Sequence, residues 1–173
     1  MNWKQVLPLI VLAPALALAQ GKGPSDPQIA GIVVTANQID VDAGKIAKSK
    51  SKNKEVKDFA QQMITDHTAV NKQAGALAKK LGVTPEDSDT SKSLKQGAAE
   101  NVGNLKKLKG AQFDKAYVDH EVVYHQAVLD AIDKVLIPSA QNAELKGLIT
   151  KVRPAIAAHL EHAKHLQASL AKK

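Results

Sequence analysis

The 173-residue chain contains no cysteine. That absence excludes a disulfide scaffold, an iron–sulfur cluster, a zinc ribbon and a thiol nucleophile. Aromatic residues are nearly as scarce. Trp3, Phe59, Phe113, Tyr117 and Tyr124 are all of them, 3% of the chain. β-Sandwiches and barrels draw on aromatic and β-branched side chains, so the shortage argues against both. It argues equally against nucleic-acid readers that stack bases on aromatic platforms. A glycine-rich phosphate loop and a serine elbow are also missing, and no catalytic residue is singled out. What the chain does have is alanine, leucine and lysine at helical spacing, which predicts an all-α protein of one domain.

The most continuous apolar run comes first and is short. Lys4 supplies a positive start, Val6 to Ala15 an apolar stretch, and Ala17-Leu18-Ala19 a small-residue cleavage pattern. Residues 1–19 therefore read as a secretory signal peptide, which predicts a periplasmic or secreted protein. A retained anchor is the alternative, but no stop-transfer stretch follows. After cleavage no transmembrane segment is expected. Trimming removes Trp3 and lowers the formal charge of +7 by one. Residues 20–26 form a flexible lead-in, and 27–171 a single helical bundle domain.

Four long amphipathic segments fill that domain. Asp26-Pro27 predicts a helix start, with Asp26 as N-cap. Helix A spans about 27–51 and helix B about 54–81, ended by Gly82. Helix C spans about 112–136 and stops at Pro138. Helix D spans about 141–170, with Pro154 predicted to kink or break it. The short A–B and C–D links make antiparallel hairpins. The 83–111 link holds a weaker helix at about 91–109 and is long enough to cross the whole bundle. These features predict a ferritin-like four-helix bundle with one B–C crossover containing a short extra helix. A plain up-down bundle with an appended helix is the alternative.

The informative residues are those that interrupt the apolar lines. At about 100° per residue, Asp40 falls among Ala36, Ala43 and Ala47 on helix A. His67 lies between Met63 and Val70 on B. Glu121 lies between Tyr117 and Tyr124 on C, with His120 and His125 to either side. His159 aligns with Val152 and Leu166 on D, and His162 follows near the edge of that face. Asp42, Glu161 and His165 point outward. Counting turns from the helix ends puts the inward groups in one central layer.

A buried carboxylate or imidazolium is costly unless it is paired, hydrogen-bonded or metal-bound. Carboxylates and imidazoles converging from facing helices suit iron, zinc, manganese or copper. Met63, one turn before His67, adds a softer donor for copper. Glu121 with His125, at i and i+4, could reach one ion together, as could His159 with His162 at i and i+3. Asp66 or Asp119 could hold the outer ring nitrogen of a ligating histidine. The metal set read from the sequence is Asp40, His67, Glu121, His125, His159 and His162. The alternative is a polar, hydrogen-bonded layer that fixes helix register and binds nothing. Tyr117, Tyr124 and Met63 read first as core residues.

The run Glu55-Val56-Lys57-Asp58-Phe59-Ala60-Gln61-Gln62-Met63-Ile64-Thr65-Asp66-His67 resembles the hallmark of the bacterial domain of unknown function 4142 family. So do Gly110-Ala111-Gln112-Phe113-Asp114-Lys115-Ala116-Tyr117 and His159-Leu160-Glu161-His162-Ala163. The resemblance covers about 27–168. It implies an exported, helical protein grouped with ferritin-like folds, and it implies no activity. The chain departs from ferritins in having no Glu-x-x-His motif. A histidine-rich set favours a mononuclear or looser site over a di-iron oxidase.

The leading expectation is an exported bundle that binds a transition metal in metal handling or envelope stress protection. The other class is a non-catalytic cell-envelope interaction module. The lysines from Lys45 to Lys57 could meet an anionic envelope surface, though a solvated turn is the default. Export and the lack of interleaved aromatics argue against a nucleic-acid partner.

Overall fold

The computed structural model describes residues 23–172, and all their regular structure is helical. The proposed signal peptide lies outside these residues. The elements are α1 (Asp26–Lys50), α2 (Lys54–Leu81), α3 (Asp89–Lys107), α4 (Gly110–Ala131), α5 (Ile137–Ser139) and α6 (Ala143–Leu170). A π-helical turn, Ile132–Leu136, joins α4 to α5.

Caps set most of the boundaries. Ser25, rather than Asp26, caps α1, in a reciprocal box with Gln28. The Asp26 carboxylate instead accepts from the Gln141 and Asn142 amides, tying the start of α1 to the start of α6. Gly82 ends α2 in the left-handed region (φ 64°), as its position predicts. Pro154 neither ends nor interrupts α6. Proline there leaves the Thr150 carbonyl without its helical donor. Both residues are exposed, so water can satisfy that carbonyl.

Side-chain contacts fix the directions. Lys48 meets Gln61, Asn37 meets His67 and Asn71 meets Val34, so α1 and α2 are antiparallel. Gln167 with Asp119, and Arg153 with Asp133 of the π turn that continues α4, make α4 and α6 antiparallel. Ser169 with Glu55 and Lys80 with Glu144 do the same for α2 and α6. Tyr124 on Ala36, and Gln141, just past α5, on Asp26 do so for α4 and α1. α2 and α4 thus run in the same direction, which requires the chain between them to return along the bundle. α3 makes that return. The Glu86 amide binds the Pro27 carbonyl at one end of α1. At the other end Lys50 Nζ caps the Leu105 and Lys106 carbonyls of α3. A side chain at Gly31 would strike the Glu86 carbonyl, so glycine lets this segment lie against α1.

The core is two apolar clusters with a polar layer between them. One, rich in aromatics, gathers Phe59, Met63, Phe113, Tyr117, Ala163 and Leu166 with their neighbours. The other is aliphatic and gathers Ile29, Ile32, Leu129, Ile132, Leu136, Ile149, Ile156 and Leu160. Toward the end of helix C, Val135 is 41% exposed while Ile132 and Leu136 are buried. Apolar residues flank that stretch on both sides, so periodicity alone does not choose the inner face.

Candidate metal centre

Between the two clusters each long helix contributes an ionisable side chain. Asp40 comes from α1, His67 from α2, Glu121 and His125 from α4, and His159 from α6. All five are at most 3% exposed. The imidazole rings of His67, His125 and His159 form a near-equilateral triangle, with centroids 5.2–5.7 Å apart.

The hydrogen bonds orient each ring. His67 Nδ1–H donates to Asn37 Oδ1 at 2.7 Å, while the Asn37 amide nitrogen is used on the Val33 carbonyl. His159 Nε2–H donates to Asp66 Oδ2 at 2.9 Å. His125 Nδ1–H donates to the Glu121 carbonyl, one helical turn back, at 3.0 Å. Each ring therefore turns its other nitrogen, with its lone pair, toward the layer. Those atoms, His67 Nε2, His125 Nε2 and His159 Nδ1, are buried without a hydrogen-bond partner. Both carboxylate oxygens of Glu121 and the Tyr117 hydroxyl are in the same condition. One ligand atom each from His67, His125 and His159 lies within 4.8 Å of the other two, and the same holds for Asp40, Glu121 and His125. The two sets meet at His125.

The electrostatics follow from burial. Desolvation, with His125 and His159 beside it, pushes the His67 imidazole down to about 3. Burial also lowers His159, against the upward pull of Asp66. Both rings are neutral at neutral pH, the form that coordinates metal. Burial and the neighbouring Glu121 hold the Asp40 carboxyl well above the usual range. Its Oδ2 lies 3.4 Å from His67 Nε2. Burial raises the Tyr117 hydroxyl as well, with Glu121 and Asp40 adding to the effect.

The chain belongs to the DUF4142 family. The model of that family, a domain of unknown function, matches residues 12–166 and so takes in every residue of the layer. No curated protein and no solved structure matches the chain.

Of the six residues read from the sequence, the fold brings Asp40, His67, Glu121, His125 and His159 together. His162 stands apart. It is exposed, bonds Gln62 through Nδ1 at 3.1 Å, and meets the Phe59 ring edge-on at 5.1 Å. Three residues further along α6 is about 60° short of a full turn, enough to carry it off the inner face. Asp66 takes the supporting role expected of it, whereas Asp119 is engaged by Lys115 and Gln167. Met63 packs in the aromatic cluster.

Sequence reasoning passed over Asn37. Its signal was present: it sits three residues before Asp40, on the same helix face. Tyr117 is the core residue expected, but its hydroxyl joins the polar layer. His120 stacks on Tyr124 at 5.6 Å, beside the layer rather than in it. The basic A–B turn is largely engaged within the chain. Lys45 pairs with Asp42, Lys54 with Asp58, and Lys50 caps α3.

Proposed function

We propose that this chain is an exported, ferritin-like bundle that holds a transition-metal ion between its four long helices. Its role on this reading is metal handling or envelope stress protection. The observation that carries the reading is the shared state of three buried histidines. Each donates from one ring nitrogen to a fixed oxygen and turns an unpartnered lone pair toward the other two. Second-sphere acceptors of this kind fix the tautomer and raise the basicity of ligating histidines. A layer serving only to set helix register would be expected to satisfy its own buried polar atoms. Three imidazoles with carboxylates at hand and no thiolate form a borderline donor set, suited to zinc, iron, manganese or copper(II). Asp40 and Glu121 would complete the coordination. The one-crossover path of α3 supports the ferritin-like assignment. Residues 1–19 support export, and a mature N-terminus at Gln20 in a periplasmic fraction is the expected readout.

The test is metal content, together with melting temperature measured with and without each of the four ions. An ion that binds only the native state stabilises it by about 2.7 kcal/mol at one hundred times its dissociation constant, a shift of several degrees. His67→Ala and His159→Ala should each abolish the shift, while His162→Ala should retain it. Purified chain without metal, unmoved by any of the four ions, would overturn the proposal.

A further inference from the structure

The polar layer is not sealed equally on its two sides. On the aliphatic side lies a cavity of about 120 Å³. Ile32, Ala131, Ile132, Leu136, Ile149 and Ile156 form much of its wall, and Asn37, Asp40 and His67 stand at its polar end. Ile132 and Leu136 belong to the π-helical turn. Such turns are rare and concentrate at functional sites.

A second, wider cleft of about 500 Å³ lies between α3 and the α1–α4 face, with Ile39, Gly97, Ala98 and His120 on its wall. The two spaces share Thr90, Leu94 and Tyr124. These three residues stand between the outer cleft and the inner chamber. α3 roofs the cleft lightly, burying only Ser91 and Leu105. It is tied near its ends, by Ser91 and Lys95 to Asp87 and by Lys50 to the last carbonyls. A side chain at Gly97, midway, would meet nothing within 4 Å.

We infer that this chamber binds a small, uncharged, apolar molecule that enters beneath α3, passes Leu94 and Tyr124, and comes to rest against Asp40 and His67. Volume sets the size. An apolar cavity of about 150 Å³ takes up benzene or xenon, and this chamber, at about 120 Å³, is slightly smaller, so its occupants are of that size or below. The lining sets the chemistry. It holds no lysine or arginine to balance an anion, and its one carboxyl is shared with the polar layer. A charged guest would lose its hydration without replacement. The inference does not depend on an ion in the layer, because the walls that select the guest are aliphatic.

The probes are benzene and xenon, added to the methyl-labelled chain in the presence of a chelator and again with zinc. Saturable shifts are expected at Ile32, Ile149 and Ile156, with Val56 and Val118 of the aromatic cluster unmoved, under both conditions. Ala131→Leu fills the chamber and should weaken benzene binding tenfold or more while the helical circular dichroism is kept. Val152→Phe, on another wall, carries the same expectation should Ala131→Leu not fold. Absence of saturable shifts in the parent chain, or shifts spread equally over both clusters, would overturn the inference. So would unchanged affinity in a folded, filled variant. Loss of metal binding with benzene binding intact would reject the metal reading alone.

Discussion

The two apolar halves flank the same polar layer, but they are built differently. In the aromatic half Phe59, Phe113 and Tyr117 are fully buried and in ring contact, Phe113 stacked on Tyr117 at 6.4 Å and Phe59 edge-on to it at 6.2 Å. α1 and α2 approach so closely there that a side chain at Gly44 would come within 2.9 Å of the Ala60 carbonyl. In the aliphatic half the helices are joined by a π turn, and a cavity reaches the layer. A few large planar rings close one side, while many branched aliphatics leave room on the other. The difference teaches that an aromatic-poor chain can still close one side of a buried site by gathering three of its rings there.

Acid is the strongest way to probe that asymmetry. In the metal-free chain His67 takes its proton only near pH 3 when folded, against about 6.5 when unfolded. Unfolding therefore takes up a proton across that window, and stability falls as pH falls. Asp40 acts in the opposite sense. Its folded value is raised, so its contribution is present in acid and is lost as pH rises through that value. Between about pH 4 and 6.5 the two act against each other. His120 and His159, both lowered by burial, tip the balance. Acidification below about pH 6.5 should then destabilise the chelated protein by up to about 1.4 kcal/mol per pH unit for each of these two. On the aliphatic side, the cavity beside His67 offers water a route to a charged imidazole. Hydrogen exchange at mild acid should rise first around Leu129–Leu136 and at the start of α6, before the Phe59 and Phe113 turns. Simultaneous loss of protection in both halves would break the comparison.

Overpacking gives a smaller, more local contrast. Ala60 is fully buried at the close α1–α2 contact. Ala60→Leu should cost about 1–3 kcal/mol, since extra methylenes in a filled core force strain. Ala131→Leu enters existing space, and cavity filling of this kind is neutral or stabilises by about 0.5–2 kcal/mol. Denaturant titration of both variants measures the difference, and equal penalties would mean that the aliphatic half is as tightly filled as the other.

Much of this plan was legible in the residues, for a physical reason. Asp40, His67, Glu121, His125 and His159 each break a stripe that is otherwise apolar, and burying such a group without purpose is too costly to be common. Five of the six residues read as ligands therefore meet. The length of the B–C link allowed either a crossover or an appended helix, and the contacts of α3 at both ends of α1 decide for the return along the bundle. His162 misled because, at the margin of a stripe, a 60° error separates core from surface. The cap of α1 was misplaced by one residue because Ser25 and Asp26 are both good caps, and only the Ser25–Gln28 box distinguishes them. The π turn left no mark on the pattern. Its excess residue lies in a stretch, Val128 to Leu136, that is apolar on several faces.

The smallest expected effect bears most directly on how tight the seal is. The Tyr117 hydroxyl is buried at the boundary of the aromatic half beside the Glu121 carboxylate, and makes no hydrogen bond of good geometry. An unsatisfied buried hydroxyl contributes nothing to stability, and removing it relieves its desolvation penalty. Tyr117→Phe should therefore leave the metal-free chain unchanged or raise its stability by about 1 kcal/mol or less. A loss of about 1–3 kcal/mol would mean that the hydroxyl is satisfied in solution, by water or by an oxygen of Glu121. Water at Tyr117 would make the boundary between the halves the layer's own hydration rather than its aromatic wall. Repeating the measurement with zinc bound separates the two partners. An ion that draws Glu121 into coordination should remove the Glu121 contribution and leave that of water.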